Sequence, residues 1–300
     1  ANSALSAEKA TDSEQPWQAV AFSADSAEFA LAGDDKLVHT FASADGKALD
    51  VLVGHNGVVR SLVYTGPTQV ASISDDKAVV VWETSPEWKL VRIIGGDEAP
   101  LVDRVIALDF SPDGKLLATG GGEPSRSGEV KIWNVADGKL VRELTDAHSD
   151  TVFGVKFSPQ GDMLATSAAD KFLKVWNVAT GELHRSYEGH THHVLGVSWK
   201  FDSKVLATAG ADQVIKVWDV ATGEQKRTIS GFSKQLTAIE FVGTTSEVVA
   251  SGGDKQVHRR NVDNGAAVRT YGGGTDYMYN VAVSADGSLV IAGGEDSVLR

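Results

Sequence analysis

Histidine and aspartate recur along this 300-residue chain at a fixed distance, His148 with Asp170 and His190 with Asp212. Such a pair is the heart of a general-base dyad and half of many metal sites, so it is the first place to look for catalysis. A dyad copied along the chain would serve no single active site, and the recurrence reads as architecture. His190, His192 and His193 form the densest group of imidazoles. Residues two apart on extended chain share a side, whereas neighbours point apart. With His190 spent in the recurring pair, His192 and His193 are poorly placed to hold one ion. The doublets Asp34-Asp35 and Asp75-Asp76 could ligate calcium or divide acid and base roles. They read instead as turns, with the second Asp in the tight-turn position and the first solvated. No Gly-x-Ser-x-Gly elbow occurs, and Gly120-Gly-Gly122 and Gly272-Gly-Gly274 lack the Lys-Ser/Thr of a phosphate loop. The chain has no cysteine, which excludes thiolate zinc sites, cysteine nucleophiles, disulfides and C-x-x-C-H haem attachment. No catalytic constellation, metal site or cofactor motif emerges.

What positions these residues is a repeat. Hydrophobic residues make up 42% of the chain and charged ones 23%, with 28 Lys and Arg against 40 Asp and Glu, a net charge of −12. That acidity argues against a general nucleic-acid surface, and no run approaches the roughly 20 apolar residues of a membrane helix. Glycine is abundant (31) and proline scarce (7), as expected of short strands joined by tight turns. Asp170-Lys-Phe-Leu-Lys-Val-Trp176 and Asp212-Gln-Val-Ile-Lys-Val-Trp218 nearly coincide; Asp76 with Trp82 repeats the offset, and Asp35 with Phe41 keeps it. Anchors at 35, 76, 127, 170, 212, 254 and 296 lie 41, 51, 43, 42, 42 and 42 residues apart. Seven units follow, one with an insertion.

Within a unit the alternation has period two, the mark of a strand with two faces. Val152–Phe157, Met163–Ser167, Phe172–Trp176 and Leu183–Tyr187 make four strands, joined by turns such as Ser158-Pro-Gln-Gly161 and Ala179-Thr-Gly181. One such sheet buries too little alone, and seven closed radially leave no large exposed edge. The expected fold is all-β: a seven-bladed β-propeller of four-stranded antiparallel blades, over residues 17–300.

The chain resembles the WD-repeat β-propellers over that span. Gly54-His55, Ala147-His148 and Gly189-His190 open units, while Trp82-Glu83, Trp133-Asn134, Trp176-Asn177 and Trp218-Asp219 close them. The resemblance implies a hydrogen-bonded structural network inside a blade, carried onto His55, Ser72, Asp76 and Trp82; His148, Thr166, Asp170 and Trp176; and His190, Thr208, Asp212 and Trp218. The unit ending at Trp133 lacks the His and the Asp, and the one ending at Arg260 has Phe232 for the His and no Trp. Both should be held more by packing. Turns such as Val178-Ala-Thr-Gly-Glu182 and Ser111-Pro-Asp-Gly114 are similar to those of bacterial members, some of whose relatives join the propeller to a c-type cytochrome module. That likeness tilts the expected compartment toward the periplasm or exterior, although no cytochrome motif is present.

The role implied is non-catalytic protein–protein recognition. Stepping back four residues from the closing residue of each innermost strand gives Gln18, Arg60, Ile106, Phe153, Leu195, Thr237 and Tyr279, a ring at the mouth of the channel. The apolar arc Ile106, Phe153, Leu195 and Tyr279, beside Arg60 for a carboxylate, has the composition of a protein-binding hot spot. The same side chains could merely plug the channel. The rival reading is an accessory domain of an envelope redox protein or enzyme complex. Two features depart from the repeat: Gly121–Gly128, expected to lengthen one turn by about nine residues as a binding loop or a tolerated insertion, and Trp88, expected to cover a blade edge or meet a partner. The last unit stops inside its third strand, so Ser297–Arg300 should mark an open edge. Residues 1–16 are polar and poor in β-formers, an N-terminal extension expected to cover that edge only weakly, as if the chain were cut from a longer one.

Overall fold

Each expected run of alternating residues forms a strand in the computed structural model, which describes residues 15–66, 69–84, 88–95, 101 and 103–300. Blade 1 holds β1 (Trp17–Phe22), β2 (Glu28–Gly33), β3 (Leu37–Ala42) and β4 (Ala48–Val53). Blade 2 holds β5 (Val59–Thr65), β6 (Gln69–Ser74), β7 (Val79–Thr84) and β8 (Trp88–Ile94). Blade 3 holds β9 (Val105–Phe110), β10 (Leu116–Gly121), β11 (Glu129–Asn134) and β12 (Leu140–Glu143). Blade 4 holds β13 (Val152–Phe157), β14 (Met163–Ala168), β15 (Leu173–Asn177) and β16 (Leu183–Tyr187). Blade 5 holds β17 (Val194–Trp199), β18 (Val205–Gly210), β19 (Ile215–Asp219) and β20 (Gln225–Ile229). Blade 6 holds β21 (Leu236–Phe241), β22 (Glu247–Gly252), β23 (Val257–Asn261) and β24 (Ala267–Tyr271). Among the described residues blade 7 has two strands, β25 (Met278–Val283) and β26 (Val290–Gly294). Arg300 exchanges both backbone hydrogen bonds with Ala292 (2.8 and 3.0 Å), which begins a third-strand register.

All blades pair antiparallel in chain order, and the result is a ring. Trp17, Val20 and Phe29 of blade 1 share a core with Ala282 and Leu299 of blade 7, and the Ala285 amide donates to Ser26 Oγ at 2.9 Å. One apolar cluster fills each interface between neighbouring blades. Trp82, Trp133, Trp176 and Trp218 each pack toward the preceding blade. Burying one such Val, Leu or Ile stabilises by roughly 1.5–3 kcal/mol, against about 1 kcal/mol net for a typical hydrogen bond. Packing therefore holds the ring together, and the polar networks fix where each turn sits.

Two local devices repeat. At the tight turn between second and third strands the residue after Asp has positive φ (Lys36 68°, Lys77 64°, Lys171 76°). The Asp carboxylate compensates by accepting the amide two residues on: Leu37, Ala78 and Phe172 all donate at 3.1 Å. At the hairpin between third and fourth strands, Asn177 Oδ1 accepts the Thr180 amide and Asp219 Oδ1 the Thr222 amide, which is why the Trp is followed by Asn or Asp. The hairpin glycines Gly138, Gly181, Gly223 and Gly265 have φ of 71–79°. An arginine on the outer strand of the preceding blade lies against each. Arg92 donates to Ala136 O, Arg142 to Ala179 O and Thr180 O, Arg185 to Ala221 O and Thr222 O, and Arg227 to Asp263 O, at 2.6–3.2 Å.

The insertion is divided. The turn between β10 and β11 has seven residues (122–128) where blades 4 and 5 use four, so it takes only part of the excess. Four more lie between Ile94 and Val105, ten residues against six between Tyr187 and Val194. Anchor spacing reports only the sum. Ser3–Thr11 of the N-terminal extension, Ser85–Glu87 and the side chain of Trp88 lie outside the described residues.

Candidate functional site

Three blades carry the same chain of hydrogen bonds. His148 Nδ1 faces Asp170 (2.9 and 3.1 Å), its Nε2 lies 2.7 Å from Thr166 Oγ1, and Trp176 Nε1 donates to that oxygen at 2.9 Å. His190, Asp212, Thr208 and Trp218 repeat it at 2.8–3.0 Å. In blade 2, His55 lies 3.0 Å from Asp76 and 2.8 Å from Ser72 Oγ, with Trp82 Nε1 donating at 3.0 Å. The neutral tautomer satisfies every atom: Nδ1–H donates to the carboxylate, and the hydroxyl donates to Nε2 while accepting from indole. Burial pushes the His148 pKa below its usual value and so favours that neutral form. Burial alone would raise the Asp170 carboxyl, but the His148 imidazole and the amides of Phe172 and Ser149 hold it below the usual range.

A hydroxyl, an imidazole and a carboxylate in line share the connectivity of a hydrolytic triad. Access denies them that chemistry. Ser72, Thr166 and Thr208 are fully buried, and each hydroxyl is covered by the Trp that donates to it. No reacting atom can sit about 3 Å from such an oxygen.

Blades 1 and 6 solve the same problem by a route that sequence reading missed. His39 Nε2 lies 2.6 Å from Asp35, and His258 Nε2 lies 2.8 Å from Asp254. In both, the imidazole comes from the third strand, four residues after the turn Asp, and in blade 7 Arg300 stands there, 2.9 Å from Asp296. Blade 6, expected to rely more on packing, thus keeps one buried polar pair beside that packing; Phe232 meets the His258 ring edge-on at 5.0 Å and the Arg260 guanidinium at 5.0 Å. The available signal was Asp-x-x-x-His. Blade 3 keeps half a network, Trp133 Nε1 donating to Thr119 Oγ1 at 2.9 Å. Its longer turn is tied to blade 4 through Gly128 N to His148 O (2.8 Å) and Ser125 N to Asp150 (2.7 Å), beside a hollow of about 680 Å³.

The seven ring positions derived from strand register converge. Gln18, Arg60, Ile106, Phe153, Leu195, Thr237 and Tyr279 all line one mouth of about 450 Å³ and all are half-buried. Phe153 stacks on His193 (6.0 Å), and His192 lies beside His193 (4.4 Å). Among the described residues no three His, Cys, Asp or Glu side chains converge as a metal site. Two expectations need correction. Arg60 does not stand ready for a carboxylate, because its Nε and Nη2 already hold Asp75 (2.9 and 2.6 Å). The first Asp of each doublet is not merely solvated: Asp75 takes Arg60, and Asp34 accepts from Gln18 at 3.1 Å.

Deeper in the channel Lys156 Nζ lies 3.2 Å from Asp109. Burial raises the Asp109 and Glu240 carboxyls, while Asp109 raises Lys156. These groups are spent on neighbouring blades. Asp109 accepts the Phe157 amide (2.8 Å), Ser198 the Phe241 amide (3.1 Å) and Glu240 the Val283 amide (3.0 Å).

Blades, networks and ring together define a repeat propeller. The WD domain, G-beta repeat family matches residues 88–134, 138–177, 181–219 and 265–300, more than half of the chain, which belongs to that family. The chain is 32% identical over 177 residues to apoptotic protease-activating factor 1 of Rattus norvegicus, covering 53% of this chain and 13% of that protein. It is 30% identical over 165 residues to WD repeat-containing protein 1 of Mus musculus, covering 53% of this chain and 26% of the relative. Protein HIR1 of Mycosarcoma maydis is 28% identical over 196 residues, 56% of this chain and 18% of its own length. The chain thus matches between 13% and 26% of these relatives' lengths. Among the described residues no helix is long and apolar enough to cross a membrane.

Proposed function

We propose that the propeller is a non-catalytic scaffold that holds a peptide or loop of a partner protein against the channel mouth. One observation carries this reading: Ile106, Phe153, Leu195 and Tyr279 come from four blades, open into one concavity and remain half-exposed. Apolar and aromatic side chains gathered on rigid strands give a partner contact area at little ordering cost. Every His/Asp/hydroxyl chain is buried under a Trp, which supports a recognition role over an enzymatic one. WD-repeat relatives with names such as WD repeat-containing protein 1 are consistent with it.

The test is affinity capture on the immobilised chain, with bound proteins identified by mass spectrometry. Phe153→Ala with Leu195→Ala should lose the proteins that the unaltered chain retains, while far-UV circular dichroism stays unchanged. Equal capture by the folded double variant overturns the proposal.

A further inference from the structure

The mouth is chemically divided. The residue just before each tight turn stands behind the rim residue of its own blade. In blades 7, 1 and 2 it is an acid: Glu295 accepts from Tyr279 OH (2.5 Å), Asp34 from Gln18 (3.1 Å), and Asp75 binds Arg60. In blades 3 to 6 the same position holds Gly122, Ala169, Ala211 and Gly253, and the rim residues are Ile106, Phe153, Leu195 and Thr237. One arc thus has an acidic shoulder, and the other, mostly apolar at the rim, has no acid at that position.

Charge counting separates the acids. Asp75 is paired directly with Arg60, whereas among the described residues the side-chain hydrogen bonds to Asp34 and Glu295 come from the neutral donors Gln18 and Tyr279, and Arg60 reaches Asp34 only through its field. Of the other cations lining the mouth, Lys156 is held by Asp109 and Arg104 is exposed on blade 3, within the apolar arc. Beside Glu295, the Tyr277 and Tyr279 rings lie 5.3 Å apart and both face the mouth. Aromatic faces next to two carboxylates attract a cation through both ring quadrupole and charge.

Resting on the scaffold reading above, we propose that the partner segment is extended and carries a Lys or Arg side chain for the shoulder formed by Tyr279, Glu295 and Asp34. A few residues away it carries a large apolar side chain for Ile106, Phe153 and Leu195. The two halves would fix the direction in which the segment crosses the mouth, because reversing it sets a cation on the apolar arc and an apolar group against carboxylates.

Panning a phage-displayed library of random nine-residue peptides on the whole chain tests this, followed by fluorescence anisotropy of the enriched peptides. The expected peptides pair a basic with an apolar residue. Replacing their Lys or Arg by Gln should weaken binding about 10-fold to the unaltered chain and less than about 2-fold to Asp34→Asn with Glu295→Gln, as for loss of a charge-assisted contact. Raising the salt should weaken binding to the unaltered chain more than to that variant. Peptides that need Phe153 and Leu195 yet ignore the Asp34/Glu295 variant overturn this inference and leave the scaffold standing. Peptides indifferent to Phe153→Ala with Leu195→Ala, or a library that enriches nothing, overturn both. Near-UV circular dichroism of each variant checks that its ring is intact.

Discussion

Blades 4 and 1 hold the same turn carboxylate with the same kind of side chain, yet the consequences differ. In blade 4 the imidazole arrives from the loop before the first strand. It connects that loop, the turn, the second strand through Thr166 and the third through Trp176. In blade 1 the imidazole of His39 belongs to the strand that the turn itself starts, and Leu31 occupies the place of the hydroxyl. The first arrangement ties the turn and its two flanking strands to a loop about twenty residues upstream; the second ties neighbours. A turn needs a donor for its Asp, and where the donor comes from decides how much of the blade is committed to that turn.

The largest effect should come from Asp170→Ala. It strands the buried His148 and removes the acceptor of the Ser149 and Phe172 amides, for a loss of about 3 kcal/mol seen as a lower urea midpoint. Asp35→Ala removes a partly exposed pair (21% for both side chains) and should cost about 1 kcal/mol. Equal losses would erase the distinction between long-range and local ties.

Acid should separate the same elements. Because burial lowers the His148 pKa, the unfolded chain takes up a proton near pH 6.5 that the folded chain refuses. Stability should therefore fall as pH drops below about 6.5, and His148→Asn should flatten that part of the curve. Asp76, Asp170 and Asp212 are held below the usual carboxylate range, so their contribution is present above about pH 4 and lost below it as the folded carboxyls protonate. Melting temperature against pH reads both phases; a curve unchanged by His148→Asn would exclude this imidazole as the source of the upper one.

The hairpins give a smaller contrast. A Cβ at Gly181 would lie 2.4 Å from Arg142 Cδ at a φ of 76°, whereas one at Gly46 of blade 1, at 70°, meets nothing within 4 Å. Gly181→Ala should cost about 2 kcal/mol and Gly46→Ala about 1 kcal/mol, the latter from backbone strain alone. Arg142→Ala should cost least, about 0.5–1 kcal/mol, since its bonds to Ala179 O and Thr180 O lie at the surface. Thermal melts rank the three, and a neutral Gly181→Ala would show that the arginine simply swings aside.

The blades were legible because Trp and His at constant offsets are conspicuous and because period-two patterning survives substitution. The rim was legible for a simpler reason. Four steps along a strand return to the same face, so Phe153 and Leu195 could be placed without knowing the ring's dimensions. What escaped was whatever depends on a partner choosing a new position. His39 and His258 do the work of His148 from another strand, and no fixed offset could show that. Asp34 and Asp75 read as solvated because a sequence does not reveal that a turn residue of one hairpin faces the start of the innermost strand. The split insertion was hidden because two short additions in one repeat sum to the same spacing as one long addition.

The arginine contacts give the ring a sense of rotation. Arg92, Arg142, Arg185 and Arg227 each reach forward to the hairpin of the next blade, and Asp109, Ser198 and Glu240 accept amides from the next blade along the channel. These arginine and amide contacts run in one direction, while Trp199 Nε1, donating to Lys156 O at 2.9 Å, is a tie that runs the other way. Damage should therefore travel unevenly: losing Arg185 unfastens the hairpin of blade 5 and leaves that of blade 3 untouched. A wheel whose spokes look interchangeable thus has an upstream and a downstream, and a partner gripping several blades at once would feel the difference.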